Sequence, residues 1–194
     1  MKFFTLATLA AAASALPSAK PRVASSPESF SVVAARSASP IHFLTLNAAN
    51  SHFYLGGKPS SYCPEQVPGC TEATQTVLIG DNALNVAVPG GQQIYVDPTG
   101  ALSFTTPHSG YTPPGSTTTG FKYEAGKNGT LGHWSFGNGF MACPVNSTAP
   151  GKPHYQVYAA RNNATVPGGN VKQCLGFDAM AVKGNGTVGA WEYI

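Results

Sequence analysis

The chain has 194 residues and a formal net charge of +3, from 11 basic and 8 acidic residues. Charged residues are only 10% of the total, well under the ~25% usual in globular domains, and no lysine or arginine cluster offers the footprint of a nucleic-acid binder. Glycine, proline, serine, threonine and asparagine take the place of charge, which fits an extracellular all-β protein better than a cytosolic enzyme.

In chain order, Met1-Lys2 is a short positive start, residues 3–13 are apolar, and Ala13-Ser14-Ala15 is an A-x-A cleavage pattern. Residues 1–15 therefore read as a secretory signal peptide. The apolar run is shorter than the ~20 residues that a membrane span needs, and no later stretch approaches that length, so no span is expected. The net charge falls to +2 once Lys2 leaves with the signal. Residues 16–28, rich in Pro, Ser and Ala, read as a flexible N-terminal segment. Residues 29–194 are expected to form one all-β domain.

Short alternating or apolar runs predict strands at residues 30–35, 41–47, 52–55, 76–79, 84–88, 92–96 and 101–105. The second half adds 121–124, 132–136, 140–143, 155–159, 175–182 and 190–193. Turn-forming stretches such as "GDNA", "DPTG" and "KNGT" separate them. No segment after the signal carries a convincing helical stripe. The expected fold is a single-domain antiparallel β-sandwich or closed barrel, with a β-trefoil as the alternative, although no threefold motif is visible. The longest loop, residues 107–120, reads as a decorated surface loop or a flap.

Asp97-Pro98-Thr99-Gly100 fits a type I turn between two alternating strands. The aspartate caps backbone amides, proline presets φ, and glycine relieves the exit. Asp97 is thus a turn former rather than a reactive acid.

The four cysteines, Cys63, Cys70, Cys143 and Cys174, all lie beyond the signal. An even number in an exported chain implies disulfides. Of the three pairings, Cys63–Cys70 with Cys143–Cys174 is favoured: the first closes a Pro/Gly-rich loop, and the second joins two distant strands, worth roughly 3 kcal/mol by loop entropy. Sequons at Asn128, Asn146, Asn163 and Asn185 all fall in the C-terminal third beside glycine or proline, as expected of glycosylated surface loops.

Catalytic patterns do not emerge. There is no G-x-S-x-G elbow, H-E-x-x-H pair, P-loop or dinucleotide fingerprint. No two of His42, His52, His108, His133 and His154 stand within five residues of each other, so neither a metal nor a cofactor is expected. Asp178, in an apolar strand, is the most unusual acid. A hydrolase would need it to meet Glu124 or Glu192 across a cleft. A small ribonuclease would need a glutamate with histidines and an arginine, for which only Arg36 and Arg161 remain in the predicted domain. Tyr54, Tyr95, Tyr111, Tyr158, Trp134 and Trp191 are candidates for stacking on sugars, with core packing as the commoner role for both tryptophans.

The blocks "RSASPIHFLTLNAANSHFYLGG" (residues 36–57), "VPGGQQIYVDPTGALSFT" (88–105), "GFMACP" (139–144) followed by "YQVYA" (155–159), and "CLGFDAMAV" with "AWEY" near the end resemble a fungal secreted family. Its members are usually described as IgE-binding proteins or PhiA-like cell-wall proteins. The resemblance runs from about residue 29 to the end. It implies export, association with the cell wall, a link to wall integrity and spore-bearing cell development, and recognition by IgE in some members. It carries no catalytic residues. The expected function is that of a non-enzymatic structural or interaction protein of the wall, with neutral wall polysaccharide as partner and no nucleic acid. The alternatives are a secreted carbohydrate-binding module, or an effector or hydrolase of unspecified type. The sequence sets no oligomeric state.

Overall fold

The computed structural model describes residues 27–145 and 155–194. The expected signal peptide, residues 16–26 of the N-terminal segment, Asn146 and His154 lie outside the described residues.

Fourteen strands are described: β1 (Ser29–Ala35), β2 (Leu46–Ala49), β3 (His52–Leu55), β4 (Ser61–Tyr62), β5 (Leu78–Ile79), β6 (Ala83–Leu84), β7 (Gln92–Val96) and β8 (Leu102–Phe104) in the first half. The second half holds β9 (Phe121–Glu124), β10 (Gly132–Phe136), β11 (Phe140–Pro144), β12 (Tyr155–Ala159), β13 (Leu175–Lys183) and β14 (Glu192–Tyr193). Among the described residues the only helical element is a 3-10 turn, Val171–Gln173.

The fold is a sandwich-like antiparallel assembly, which settles the choice among sandwich, barrel and trefoil. One layer contains β1, β5, β6, β9 and β10; the other contains β2, β3, β8, β11 and β12. Two strands belong to both. β7 pairs with β6 on one side and β8 on the other. β13 pairs with β11 through Leu175–Phe177 and with β1 and β10 through its later residues. A separate two-stranded sheet joins β4 to β14.

Between the layers lies the main core. Phe30 and Val32 from β1, Phe53 and Leu55 from β3, and Ile94, Leu102, Trp134 and Val157 are almost fully buried. Trp134 is its aromatic centre, with ring centroids 4.8 Å from Phe140 and 5.6 Å from Phe121. Its indole N–H donates to the Asp81 carbonyl at 2.7 Å, so the ring is buried without an orphaned donor. A second cluster of Met141, Cys143, Tyr158, Ala164 and Val166 lies on the other face of β11 and β12. Successive residues of these strands serve different cores, because side chains alternate across a strand. Residues 160–174 help cover that second face, and the Cys143–Cys174 disulfide bonds β11 to the chain beyond the 3-10 turn. The other disulfide is Cys63–Cys70.

Several predicted strands have the observed bounds, including Gln92–Val96 and Phe121–Glu124. The strand expected over 41–47 is a correction. His42 and Phe43 form a turn, Phe43 has φ +63°, and the strand begins at Leu46. Ile41 is buried all the same, so its apolar character reflects the core and not a strand. The strands expected at 76–79, 84–88 and 190–193 shrink to two residues each, with isolated bridges at Val86 and Ala190. The carboxylate of Glu28, just before β1, accepts from Lys183 Nζ at 2.8 Å and from the Tyr123 hydroxyl at 3.3 Å. The Lys183 contact holds the Glu28 carboxyl below its ordinary value.

One buried amide helps to fasten the last strand. Gln92 Nε2 donates to the carbonyls of Thr105 and Tyr193, and its Oε1 accepts from the Tyr193 N–H. Tyr193 in turn accepts from Val77 N and donates to the Gln75 carbonyl through its hydroxyl. Burial pushes that hydroxyl up to about 12, so it remains a donor at neutral pH.

Asp97 turns the chain as expected. Gly100 N donates to the Asp97 carbonyl at 2.9 Å, and the carboxylate accepts from Ala101 N at 3.0 Å and from the Thr99 hydroxyl at 2.6 Å. Gly100 has φ +99°, and a Cβ there would stand 2.6 Å from Arg161 Nε. Arg161 reaches over the turn and donates to the Pro98 carbonyl at 2.6 Å.

Three outcomes follow. Gln92→Leu keeps the volume but strands three buried backbone groups, and should lower the free energy of unfolding in denaturant by roughly 3 kcal/mol. Gly100→Ala combines left-handed strain with the Arg161 contact and should cost roughly 2 kcal/mol or more. Asp97→Ala, which loses only turn hydrogen bonds, should cost about 1 kcal/mol in the same experiment; the reverse order would contradict this account of the turn.

Candidate functional site

The three acids singled out for hydrolysis do not converge. Asp178 lies on β13 with the alternation that buries Phe177 and Ala179, and it points outward, exposed, opposite Ala35 of β1. Glu124 is exposed on β9 and pairs with Lys122 of its own strand, which holds the glutamate below its ordinary value. Along the outer face the register runs Glu124, His133, Met180, and Asp178 is two residues further along β13. The two acids are thus two strand spacings and a two-residue step apart, on the order of 12 Å between their backbones. A shallow depression of ≈ 260 Å³ holds Glu124 and His133, but Asp178 does not line it. Glu192, on β14, stands opposite Tyr62 in the separate small sheet.

The other acids are also accounted for. Asp81 accepts from the Tyr123 N–H, Asp97 builds its turn, and Glu28 is held by Lys183. Glu65 and Glu72 are exposed on and beside the Cys63–Cys70 loop. Among the described residues, no three of His, Cys, Asp and Glu gather in a way that could hold a metal ion. His42 stacks on Phe43 and accepts from the Arg36 N–H through Nδ1. His52 Nδ1 lies 2.8 Å from the Asn50 carbonyl. Arg36 donates to the Gly176 carbonyl, and Arg161 serves the turn described above.

Of the aromatic candidates, Trp134, Tyr95 and Tyr158 are buried, while Tyr54 and Trp191 are half-buried. Tyr111 is 70% exposed. Trp191 lines a cleft of ≈ 280 Å³ against Pro68 and Gly69 of the disulfide loop. The described sequon residues Asn128, Asn163 and Asn185 are all exposed. Asn185 Oδ1 accepts from both the N–H and the hydroxyl of Thr187, which closes a local turn.

A large concavity was not foreseen from the sequence. It is an open groove of ≈ 920 Å³ between the loop Pro89-Gly90-Gly91, the edge of β5–β7, and His108-Ser109-Gly110 of the long loop. None of its lining residues is Asp, Glu, Lys or Arg. Gln93 and His108 are exposed in it, and Asn82, Thr105 and Ser109 add amide and hydroxyl groups. Gly90 and Gly91 have positive φ, and nothing lies within 4 Å of where a Cβ would stand. The signal for it in the sequence is the glycine pair in "VPGGQQ", which permits close approach of a ligand to backbone. The partner wall comes from residues 107–120, far enough along the chain that no local pattern joins the two.

Comparison with known proteins agrees with the family resemblance seen in the sequence. A secreted protein of Arthroderma benhamiae, described as uncharacterized, is 46% identical over 156 residues, covering 77% of each chain. The cell wall protein phiA of Emericella nidulans is 33% identical over 185 residues, covering 92% of this chain and 90% of the relative. No solved structure matches. The family model for PhiA-like secreted proteins matches residues 30–194, which spans both layers of the sandwich and the groove, and the chain belongs to that family.

Proposed function

We propose that the protein is a non-enzymatic, glycosylated component of the fungal cell wall, exported by the signal at residues 1–15, that acts through structural or binding contacts with neutral wall polysaccharide. The carrying observation is the dispersal of its acids. Three serve a turn, an ion pair or a backbone amide, and Asp178 and Glu124 sit apart on an open face. The kinship with a cell wall protein over nearly the full chain supports the location. A domain with few charges, two disulfides and exposed sequons suits a matrix of neutral sugar polymers, where electrostatic capture has little to act on. Roles in wall integrity and spore-bearing cell development, and recognition by IgE, belong to the same proposal.

Fractionation of a producing fungus tests it. The protein should be recovered from the medium and the wall fraction, and enzymatic removal of N-glycans should lower its mass. Recovery only from the cell lysate, at the unglycosylated mass, would overturn the reading.

A further inference from the structure

We infer that the groove between the Gly90-Gly91 loop and His108-Ser109 is a binding site for a neutral, hydroxyl-rich oligosaccharide. The inference rests on the polysaccharide partnership proposed above and gives it a location.

The first argument is the charge pattern. A phosphate, a uronate or an amine would need an opposite charge in the groove, and the lining supplies none. It supplies amides, hydroxyls and an imidazole, groups that can both donate to and accept from sugar hydroxyls. A wholly apolar ligand would leave those groups unpaired on burial, which is unfavourable.

The second argument is availability. Gln92 and Gln93 are adjacent on β7 and point to opposite faces. Gln92 is spent inside on Thr105 and Tyr193. Among the described residues, no hydrogen bond uses the side-chain amide of Gln93 or the imidazole of His108, and both are exposed. The site thus has a free amide mounted on a strand whose other face is locked.

The third argument is shape. The groove is at the upper end of the ~300–1,000 Å³ typical of ligand sites. It is open along one side, as a polymer segment needs. Its glycine wall carries no side chain that would hold a sugar ring away. His108 sits at φ +59°, a conformation uncommon for a residue with a side chain. Tyr111 follows the lining residue Gly110 in the chain and is 70% exposed, so its ring is free to stack against a pyranose face.

The test is calorimetric titration of the purified protein with soluble β-1,3-glucan and chitin hexasaccharides, at low and at high salt. At least one should bind saturably, with affinity unchanged by salt. Gln93→Ala, His108→Ala and Tyr111→Ala should each weaken it about tenfold, while Tyr62→Ala, an exposed aromatic on β4, should not. In nuclear magnetic resonance spectra of the unaltered protein, the same sugar should shift the Gly90 and Gly91 amides. Absence of binding to both sugars, binding indifferent to the three substitutions, or shifts confined to the Trp191 cleft would overturn the assignment. Wall recovery of the protein despite such a result would leave the wall reading intact, so the two failures are separable.

Discussion

The carboxamide of Gln92 holds this molecule shut. Its three hydrogen bonds, to Thr105 O, Tyr193 O and Tyr193 N, lie inside the protein where water cannot replace them. Such bonds gain little over water when made, but each leaves an uncompensated polar group when broken. The strand that carries Gln92 is shared by both layers, so one side chain ties the layers to the chain terminus. Tyr193 extends the connection, since its hydroxyl satisfies backbone groups of Gln75 and Val77 on the approach to β5. Gln93, in the groove, is presented by the same backbone.

A second constraint comes from the crowding of the layer that holds β11 and β12. Their inner faces fill the main core through Phe140, Ala142 and Val157, and their outer faces pack Met141, Cys143 and Tyr158 under residues 160–174. A layer buried on both sides has no room for a broad cleft. The disulfide Cys143–Cys174 and the Arg161 contacts to the Asp97 turn fasten that cover. Open concave surface is left elsewhere, where the glycine-rich loop before β7 and the long loop after β8 stand apart. The position of the candidate site is thus a consequence of where the fold runs out of side chains to pack.

The strands were legible wherever alternation was undisturbed. Residues 92–96 and 132–136 alternate, and both strands have the expected bounds. Apolar content misled at 41–47, since Ile41 enters the core from a turn and Phe43, in the left-handed region, projects into solvent. Ser61–Tyr62 was not legible at all, because a two-residue strand has no period and exists only through its pairing with β14. Asp178 is a case where alternation decides: despite its apolar neighbours, the period of two sends it outward while Phe177 and Ala179 face the core.

By itself the sequence determined the class of the protein: export, an all-β domain, the turn at Asp97, the sequons and the family, all of which rest on local pattern or on the order of blocks along the chain. Tertiary structure decided what the side chains do. It spent Gln92 inside and left Gln93 outside, buried Trp134 and Tyr158 among the sugar-stacking candidates, and set the acids apart on different strands. It also brought Gly90 and His108 to the two sides of one groove. The division has a physical reason. Turns, signals and strand period are set by neighbours in the chain, whereas a binding surface is set by which distant segments the packing leaves facing each other.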